Sequence, residues 1–533
     1  MNDQYDYIIV GAGSSGCVVA NKLSADPANK ILLIESGPAD KSWLIHMPRG
    51  IGKLLGRPGE PHSWYYEASR GGNRPSEPWQ KGRTLGGSSS INGMVYVRGH
   101  PRDYDRWAEA GCNGWSWAEM KPVFEKMETL HFEGQPASGS GPLHVNIPNK
   151  GNALTEAIIA GAGQLGIPRV ANNNDAPDGG IGYQPETIWN GRRQSAAKAF
   201  LDPVRDRPNL DIVTDVTALQ LEFEDNRAKA VTVRHKSGIR SISARREIIL
   251  SAGAIQSAKM LQLSGIGPAK LLSSLGIPVV RDSRDVGQNL REHLVLPTVF
   301  QVREGSLNGR FRGVGLLQSL LRYALFSSGP MAGAIAAMCA YVKSRPDLDR
   351  PDIQVGFGLQ SVAPTEKGVV VSPIPGITLV SYFMHPESRG SLAIRSTDPD
   401  VAPVIDANYL DDPVDRRTAL ATLRLNRAIA AQPAVAPFIL QETVPGPDLV
   451  SDDALLDFAG LNGTTGYHVS CTCRMGSDEH SVVDPRLRVR GVQGLRVVDT
   501  SIMPDLPSGN TNGPAMAIGW RGAEMILEDA VNS

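Results

Sequence analysis

The first 35 residues contain the feature that most constrains the fold, a glycine-rich turn between two short apolar segments. The first segment is residues 7–10, the turn is residues 11–16, and the second segment, Ile31–Ile34, is followed by Glu35. Apolar positions continue from the turn to Leu23, which predicts a helix between the two segments. The stretch is therefore predicted to be a βαβ unit with a G-x-G-x-x-G turn. Such a unit has parallel strands, so the chain is predicted to form an α/β fold.

The three glycines of this turn have separate roles in a dinucleotide-binding motif. Gly11 permits the tight turn, Gly13 lets the backbone approach a pyrophosphate, and Gly16 lets the helix pack on the sheet. Unpaired amides and the dipole at the helix N-terminus attract phosphate. Glu35 stands where an acid accepts ribose hydroxyls and disfavours a 2′-phosphate. The motif predicts a bound dinucleotide and leaves open whether it is NAD or FAD.

Later segments indicate that the nucleotide-binding fold is interrupted. With 533 residues, the chain exceeds the size at which one hydrophobic core stops growing. Apolar strands of the same type are predicted at residues 247–253 and 495–499, and a helix is predicted from Asn512. Residues 43–101 are rich in Gly, Pro, Trp and Arg and are predicted to be long ordered loops. The predicted domains are a discontinuous first domain (1–140, 191–297 and 466–533) and a second, α+β domain (141–190 and 298–465). Within the second, a strand is predicted at residues 376–383 and a helix at residues 413–431.

Charge and cysteine content bear on partners and location. The 54 Lys and Arg residues balance 55 Asp and Glu residues, so no overall field would hold nucleic acid or an anionic membrane. The five cysteines are too few for a disulfide framework and are predicted to be thiols in a reducing compartment, the cytoplasm. The first strand starts near Asp6, which leaves no room for an export signal ahead of it. The apolar run at residues 329–342 is shorter than the about 20 residues that a bilayer requires, so no transmembrane segment is predicted.

Several separated motifs resemble those of the glucose-methanol-choline (GMC) oxidoreductases. The first is GRTLGGSSSING at residues 82–93. The others follow in the family's order at residues 467–468, 474–476, 499–504 and 510–512. The resemblance covers most of the chain and implies FAD as the cofactor. It also implies a Rossmann-like FAD-binding domain, discontinuous in sequence, with an inserted α+β substrate-binding domain.

The resemblance assigns cofactor-binding positions as well. A loop of glycines and serines is of a kind that wraps a pyrophosphate and lies against the isoalloxazine ring. Ile91 matches the position where some family members link a histidine to the flavin, so the FAD is expected to be noncovalent. Val216 resembles the residue whose backbone holds the adenine, and Asp499 resembles a residue near the pyrophosphate and ribityl chain. The predicted cofactor-binding residues are Gly11, Gly13, Ser14, Ser15, Gly16, Glu35, Arg83, Gly86, Gly87, Ser88, Asn92, Gly93, Val216, Asp499, Asn510 and Thr511.

The resemblance also implies a catalytic pair. His468 is the one histidine of ten in a matching motif and is predicted to be the base that takes the hydroxyl proton. Asn510 matches the second catalytic position and would hydrogen-bond the alcohol oxygen. Cys471 replaces a family glycine, and with Cys473 it is assigned to packing, so no metal site is predicted. The other histidines are assigned structural roles: His46, His62, His100, His131, His144, His235, His293, His385 and His480.

The substrate is expected to be an uncharged primary alcohol, aromatic or aliphatic. In choline-oxidising relatives a glutamate follows a Gly-Pro pair, and a similar spacing from Gly329 and Pro330 falls near Ala337, in an apolar stretch. Choline is therefore disfavoured. Either molecular oxygen or a quinone or other acceptor would reoxidise the flavin, and no residue decides between them. The oligomeric state is also left open.

Two rival functions and one segment remain open on the sequence alone. A hydroxynitrile lyase uses the same scaffold with an FAD that does not turn over, and a non-catalytic nucleotide-binding or redox-sensing protein would not need His468. Residues 316–326 have helical apolar spacing with few charges. A helix packed on the substrate domain is the favoured interpretation. An access lid, an oligomer contact and a membrane-surface anchor are the alternatives.

Overall fold

The computed structural model describes residues 2–531, with the exception of residues 57, 150, 366 and 367. The strands in chain order are β1 (Gln4–Val10), β2 (Ile31–Ile34), β3 (Ser63–Ser69), β4 (Glu77–Gly82), β5 (Glu128–Phe132), β6 (Ser138–Gly139), β7 (Leu143–Ile147), β8 (Gly180–Tyr183), β9 (Ile188–Trp189), β10 (Arg192–Arg193), β11 (Leu210–Val213), β12 (Thr217–Glu224), β13 (Arg227–His235), β14 (Gly238–Leu250), β15 (Ile266–Gly267), β16 (Arg281–Asp282), β17 (Leu294–Val302), β18 (Met338–Val342), β19 (Ile353–Gly358), β20 (Val362–Thr365), β21 (Gly368–Val371), β22 (Gly376–Phe383), β23 (Ser391–Ala393), β24 (Val404–Asp406), β25 (Ile439–Val444), β26 (Thr464–Thr465) and β27 (Leu495–Val497). The α-helices are α1 (Ser14–Leu23), α2 (Trp43–His46), α3 (Ile51–Leu54), α4 (Pro101–Glu109), α5 (Trp117–Met127), α6 (Ala153–Gln164), α7 (Gly253–Leu263), α8 (Ala269–Ser274), α9 (Gly313–Phe326), α10 (Pro413–Ala430), α11 (Asp452–Asn462) and α12 (Asn512–Val531). Short 3-10 turns and one π-helical turn (Ala197–Leu201) connect some of them.

The first large sheet is built around the predicted βαβ unit. Its strand order is β11-β2-β1-β14-β13-β12, with β27 beside the end of β14. β1 pairs in parallel with both β2 and β14, and β27 pairs in parallel with β14. β1 and β2 are buried on both faces, which explains their unbroken apolar sequence. The predicted α/β class, with a Rossmann-like nucleotide-binding sheet, is confirmed.

A second large sheet is antiparallel. Its strand order is β25-β17-β22-β19-β18-β8, with β26 also paired to β17. Its apolar face packs against α6 and α10 and forms a core separate from that of the first sheet. The strand predicted at residues 376–383 is β22, and the helix predicted at residues 413–431 is α10. This sheet is the inserted α+β layer, and the domain limits given above remain a prediction.

The prediction of loops throughout residues 43–101 is wrong in part. β3 and β4 form an antiparallel pair within this stretch, and β3 also pairs in parallel with β24. Residues 65–68 of β3 alternate between exposed and buried, but the sequence hides this period because the exposed Tyr65 is aromatic like the buried Tyr66. The partner strand β24 lies more than 300 residues further along the chain, so short-range sequence patterns contain no sign of the pairing.

The helix predicted at the last motif closes the first domain. The Ser15 hydroxyl in α1 donates to the carbonyl of Ala515 in α12 over 2.6 Å. A Cβ atom on Gly519 would lie 2.6 Å from the Ser15 carbonyl oxygen, so only glycine permits this approach of the two helices. Within the described residues, no helix is both long enough and apolar enough to cross a bilayer.

Candidate active site

A long cleft begins at the glycine-rich turn and ends at the motif that contains His468. Three helix N-termini open onto it, because Ser14 of α1, Gly253 of α7 and Asn512 of α12 all line its wall. Each N-terminus presents unpaired amide groups and the positive end of a helix dipole. Their convergence makes this part of the cleft suited to a phosphate-containing ligand.

The glycines of the turn are required by close backbone contacts. Gly11 has a φ of +102°, in the left-handed region that favours glycine, and a Cβ there would lie 2.5 Å from the Ser251 carbonyl oxygen. A Cβ on Gly16 would lie 1.9 Å from the Gly11 carbonyl oxygen. These contacts bring the backbone of the turn against β14 and leave room for a ligand above it. The roles predicted for Gly11 and Gly16 fit this geometry.

Glu35 is buried at the end of β2 and lines the same part of the cleft. Its carboxylate accepts hydrogen bonds from the amides of Ala12 at 3.1 Å and Gly37 at 2.9 Å. Burial raises the pKa of Glu35 to about 7, and the two amide hydrogen bonds act in the opposite direction. The two amides therefore hold the carboxyl group of Glu35 in place at the cleft wall.

The serine- and glycine-rich loop lies across the turn. A Cβ on Gly87 would be 2.7 Å from the Gly13 Cα atom, so the two glycines are in backbone contact. Ile91 lines the cleft and packs with Ile45 and Leu54 in a small apolar cluster. The loop therefore forms one wall of the cleft, as expected of a cofactor-binding loop.

Most of the predicted cofactor-binding residues line this cleft, and three do not. The lining residues are Gly11, Gly13, Ser14, Ser15, Glu35, Gly87, Ser88, Asn92, Gly93, Val216, Asp499, Asn510 and Thr511. Gly16, Arg83 and Gly86 lie behind the wall. Arg83 donates to the Ser36 carbonyl oxygen at 3.0 Å and lies over the Trp64 ring. Gly86 donates its amide to the Ala12 carbonyl oxygen at 2.8 Å, so it supports the turn from behind.

The polar groups of the cleft fit the FAD that the sequence motifs imply. The Asp499 carboxylate is occupied by the protein, because it accepts from the Gly253 amide at 2.9 Å and the Ser257 hydroxyl at 2.6 Å. It thus fixes the N-terminus of α7 at the cleft wall. The side-chain nitrogen of Asn512 is buried and has no hydrogen-bond partner among the described residues, while its oxygen accepts from Ser14 at 2.8 Å. An unpaired donor between two helix N-termini matches a ligand with phosphate oxygens.

His468 and Asn510 meet at the other end of the cleft. The Asn510 side-chain nitrogen lies 3.0 Å from Nε2 of His468. On the opposite side of the ring, His468 Nδ1 lies 2.9 Å from Nδ1 of His293. Nε2 of His293 lies 2.8 Å from the carbonyl oxygen of Met384. The two histidines and the asparagine therefore form one hydrogen-bonded chain.

The hydrogen bonds among these three residues determine which nitrogen of His468 carries its proton. A carbonyl oxygen only accepts, so His293 donates from Nε2 to Met384 and has a lone pair at Nδ1. His468 must then donate from Nδ1 to His293, which leaves its own lone pair at Nε2, toward Asn510. Burial lowers the pKa of His293 to about 3. Burial, together with His293 and Lys81, holds the pKa of His468 well below 6.5. Both rings are therefore neutral near pH 7, and Nε2 of His468 is a free base that faces the cleft.

The second sheet orients Asn510. Gln354 and Tyr382 are paired neighbours on β19 and β22. The Tyr382 hydroxyl donates to the Gln354 side-chain oxygen at 2.6 Å, and the Gln354 side-chain nitrogen donates to the Asn510 oxygen at 3.1 Å. Because the Asn510 oxygen is occupied in this way, its NH₂ group faces His468 and the cleft.

Buried polar groups also hold the backbone that carries His468. The Glu292 carboxylate accepts from the amides of His293 and His468, each at 2.8 Å, and from the Thr465 hydroxyl at 3.0 Å. Burial raises the pKa of Glu292 to about 7, and Lys81 acts in the opposite direction. Cys471 and Cys473 are buried free thiols whose pKa is raised by burial. They belong to the main apolar core, in agreement with their assignment to packing.

Sequence reasoning missed several residues of this site. His293 was assigned a structural role, but it contacts His468 directly. Its only sequence signal is an acid-histidine pair just before an apolar strand, which does not reveal a contact with a residue 175 positions away. Gln354 is a polar residue within a buried apolar strand, a pattern that could have drawn attention to it. Asn512 was part of a matching motif, but its own contact was not predicted.

Comparisons with known proteins agree with this arrangement. The family described as GMC oxidoreductase matches the chain in two parts, at residues 5–295 and 386–519. An alcohol dehydrogenase (acceptor) from Pseudomonas putida is 39% identical over 98% of this chain and 96% of its own length. An oxygen-dependent choline dehydrogenase from Photobacterium profundum is 37% identical over 99% of this chain and 94% of its own length.

A solved structure extends the agreement to three dimensions. The crystal structure of pyridoxine 4-oxidase from Mesorbium loti superposes with a TM-score of 0.87 at 31% identity, and the match covers 98% of both chains. Sequence family, relatives and fold therefore agree over nearly the whole length. The chain belongs to the GMC oxidoreductase family and is an FAD-dependent alcohol oxidoreductase.

Proposed function

We propose that this enzyme oxidises an uncharged primary alcohol, aromatic or aliphatic, to the aldehyde, with His468 as the base and Asn510 as the group that holds the alcohol oxygen. The observation that carries the proposal is the lone pair on the unprotonated Nε2 of His468, to which Asn510 now donates. The hydrogen bonds of His293 aim that lone pair into the cleft. A neutral, oriented imidazole at the end of a dinucleotide cleft is suited to take a hydroxyl proton.

His468, Asn510 and Gln354 would have separate roles at the catalytic end of the cleft. The substrate hydroxyl would donate to Nε2 of His468, the atom to which the Asn510 NH₂ group now donates. Asn510 would turn this donor toward the alcohol oxygen, which gains negative charge as its proton leaves. Gln354 holds the Asn510 amide, so the donor is in position before the reaction. The proton ends on Nε2 of His468, and the carbon-bound hydrogen leaves as hydride.

FAD would be held by the three helix N-termini, Glu35 and the loop around Gly87, and when bound it supplies the two-electron acceptor for the hydride. We propose that it is bound without a covalent link. Ile91, at the position where some relatives carry the linking histidine, has a side chain with no atom able to form such a bond. Among the described residues that line the cleft, His468 is the one histidine, and the proposal gives it another role.

The lining of the cleft supports an uncharged substrate. Its lining includes Met94, Val95 and Ile335, which are apolar. Among the described lining residues, the carboxylates are Glu35 and Asp499, and both accept hydrogen bonds from the protein. A cationic substrate such as choline would be desolvated there without a counter-charge, at considerable cost. The alcohol class of the Pseudomonas putida relative and of the pyridoxine oxidase supports the same proposal.

Anaerobic stopped-flow absorbance tests the reaction and the substrate class together. The purified holoenzyme is mixed with benzyl alcohol, 1-octanol or choline, and bleaching of the flavin is followed. We expect the uncharged alcohols to reduce it, and the H468A variant to bind FAD but react about 100-fold or more slowly. H480A removes an exposed histidine outside the cleft and is the matched control. Faster bleaching by choline, or full activity of H468A, would refute the proposal, and admission of air then separates an oxidase from a dehydrogenase.

Acid precipitation tests the noncovalent attachment. Trichloroacetic acid unfolds the protein and removes every noncovalent contact, so all FAD should appear in the supernatant. The yellow pellet of a covalently linked flavoprotein serves as the control. Flavin that stays with the precipitated chain would show that another residue forms the link.

A further inference from the structure

Helix α9 presents an apolar face to solvent. Val314, Leu317, Leu321 and Leu325 follow helical spacing along one side, and each is between 53% and 72% exposed. Phe326, at the end of the helix, is 72% exposed. The other side contains Ser319, the one residue of the helix that is fully buried, whose hydroxyl donates to the Arg310 carbonyl oxygen. The helix therefore already has a protein-facing side, and its exposed leucines lie opposite to it.

In the sequence on both sides of α9 and within it, all charged residues are positive. No aspartate or glutamate occurs between Glu304 and Asp347 in the sequence. Arg310 and Arg312 precede the helix, Arg322 lies within it, and all three are exposed. The balanced charge of the whole chain hides this local excess.

An exposed apolar face of this kind needs an occupant. Monomeric proteins rarely leave a row of large apolar side chains in water, because burying that surface is favourable. A second copy of the chain would bring the same arginines close to one another across a twofold axis, with no acid on the helix to pair with them. A surface of lipids with anionic headgroups complements both the leucines and the arginines.

We propose that α9 docks this enzyme onto an anionic membrane surface. The leucine face would enter the boundary between headgroups and acyl chains, while Arg310, Arg312 and Arg322 contact lipid phosphates. α9 packs against the turn Pro330–Ala332, and Ile335, just beyond that turn, lines the catalytic cleft. Docking would thus hold the cleft near the lipid, while the chain itself remains outside the bilayer.

Vesicle co-sedimentation of the holoenzyme tests the apolar half of this surface. The wild type should pellet with vesicles of phosphatidylglycerol and phosphatidylcholine, and the L317S/L325S variant should bind at least about tenfold more weakly. V450S/L461S, which removes two other exposed apolar side chains, is the matched control and should bind as the wild type does. Full FAD content of each variant confirms its fold. No binding by the wild type, or equal loss in the control, would overturn the proposal.

The charge requirement gives an independent test. Neutral vesicles of phosphatidylcholine alone should bind the wild type weakly, and R310Q/R322Q should lose about 25-fold in affinity for anionic vesicles, about fivefold per arginine. Added salt should weaken binding of the wild type. Light scattering of the lipid-free protein measures its oligomeric state and so tests whether α9 forms a dimer contact instead. Equal binding to neutral vesicles, or a dimer that L317S/L325S converts to monomers, would assign the face to a different occupant and refute the membrane proposal.

Discussion

A histidine has two ring nitrogens, and the hydrogen bond at one decides what the other can do. In His468 the bond at Nδ1 goes to His293, a residue outside the matched motif. His293 does not line the cleft and bonds the side of the His468 ring opposite to Asn510, so it acts as a positioning residue. Its stacking on Tyr382, with ring centroids 4.6 Å apart, fixes its own plane.

This positioning role predicts a particular behaviour of His293 variants. H293A removes the acceptor for the Nδ1 proton, so His468 can adopt the other tautomer, and flavin reduction should slow by at least about tenfold. Water that enters the space would also raise the pKa of His468 toward 6.5. As the pH is lowered, His468 would then be protonated, and activity lost, at a higher pH than in the wild type. The measurement is the pH profile of the reduction rate.

H293N tests the explanation, since its amide oxygen can accept from Nδ1 of His468. The rate and the pH profile should return part of the way to those of the wild type. A merely structural role for His293 predicts loss of stability without a displaced pH profile. That result, or no rescue by H293N, would argue against tautomer control.

At the scale of elements, helix α4 anchors the loop that carries Asn510. Asp103 in α4 accepts from the Ser508 amide at 2.7 Å and the Ser508 hydroxyl at 3.1 Å. Arg350 forms a buried ion pair with the same carboxylate at 3.0 Å. Burial would raise the pKa of Asp103, but contacts with His385, Arg350 and the Ser508 amide outweigh it and hold that pKa well below 3.8. The carboxylate is therefore ionised and holds the loop firmly.

D103N should loosen that loop. The variant leaves Arg350 buried without a counter-charge, which costs about 3–5 kcal/mol of folding stability. It also frees Ser508 and so misplaces Asn510, which should raise KM and lower kcat together. E109Q, an exposed change on the same helix, is the control and should alter stability by less than about 0.5 kcal/mol. Thermal unfolding and steady-state kinetics measure both effects, and unchanged kinetics in D103N would mean that Asn510 does not depend on this anchor.

The element scale also shows where sequence reasoning succeeds. β1, α1, β2 and β22 were predicted because periodicity, glycines and runs of apolar residues are local signals. β3 and β4 were missed because their residue types hide the strand period and because β24, which pairs with β3, is remote in sequence. The residues of the site also fall into those with a local sequence signal and those without one. Gly11, His468 and Asn510 stand in recognisable motifs, whereas His293 and Gln354 act through contacts that only the folded chain creates.

Buried titratable groups determine how the folding stability of the whole molecule depends on pH. Neutral buried histidines such as His293 have a pKa below 6.5, so their contribution to stability is lost as pH falls from 6.5 toward about 3. Glu35 and Glu292 have a pKa raised to about 7. Because the folded state binds their protons more readily than the unfolded state does, they increase stability as the pH falls from 7 to 4.5. The two effects oppose each other down to about pH 4.5, and below it Glu35 and Glu292 no longer offset the loss.

Stability should therefore change little between pH 6.5 and 4.5 and fall steeply below about 4.5. Urea unfolding of the holoenzyme, followed by circular dichroism at a series of pH values, measures the curve. H293Q removes one buried histidine, so its free energy of unfolding should fall less steeply below pH 4.5 than that of the wild type. H480A, at an exposed position, should leave the curve unchanged. A steady decline from pH 7 downward would show that the carboxylates do not oppose the histidines.

The packing of α12 on α1, and of β27 on β14, has a consequence for how the protein is made. The βαβ unit leaves the ribosome early, but the strand and the helix that complete its surroundings lie at residues 495–531. Until those residues emerge, the side of α1 that packs on α12 has no cover, and this apolar surface is open to aggregation. The side-chain nitrogen of Asn512, which lines the cleft, also arrives long after the βαβ unit. The cleft is therefore complete, and able to hold its cofactor with all three helix N-termini, only after residues 495–531 have folded onto the βαβ unit.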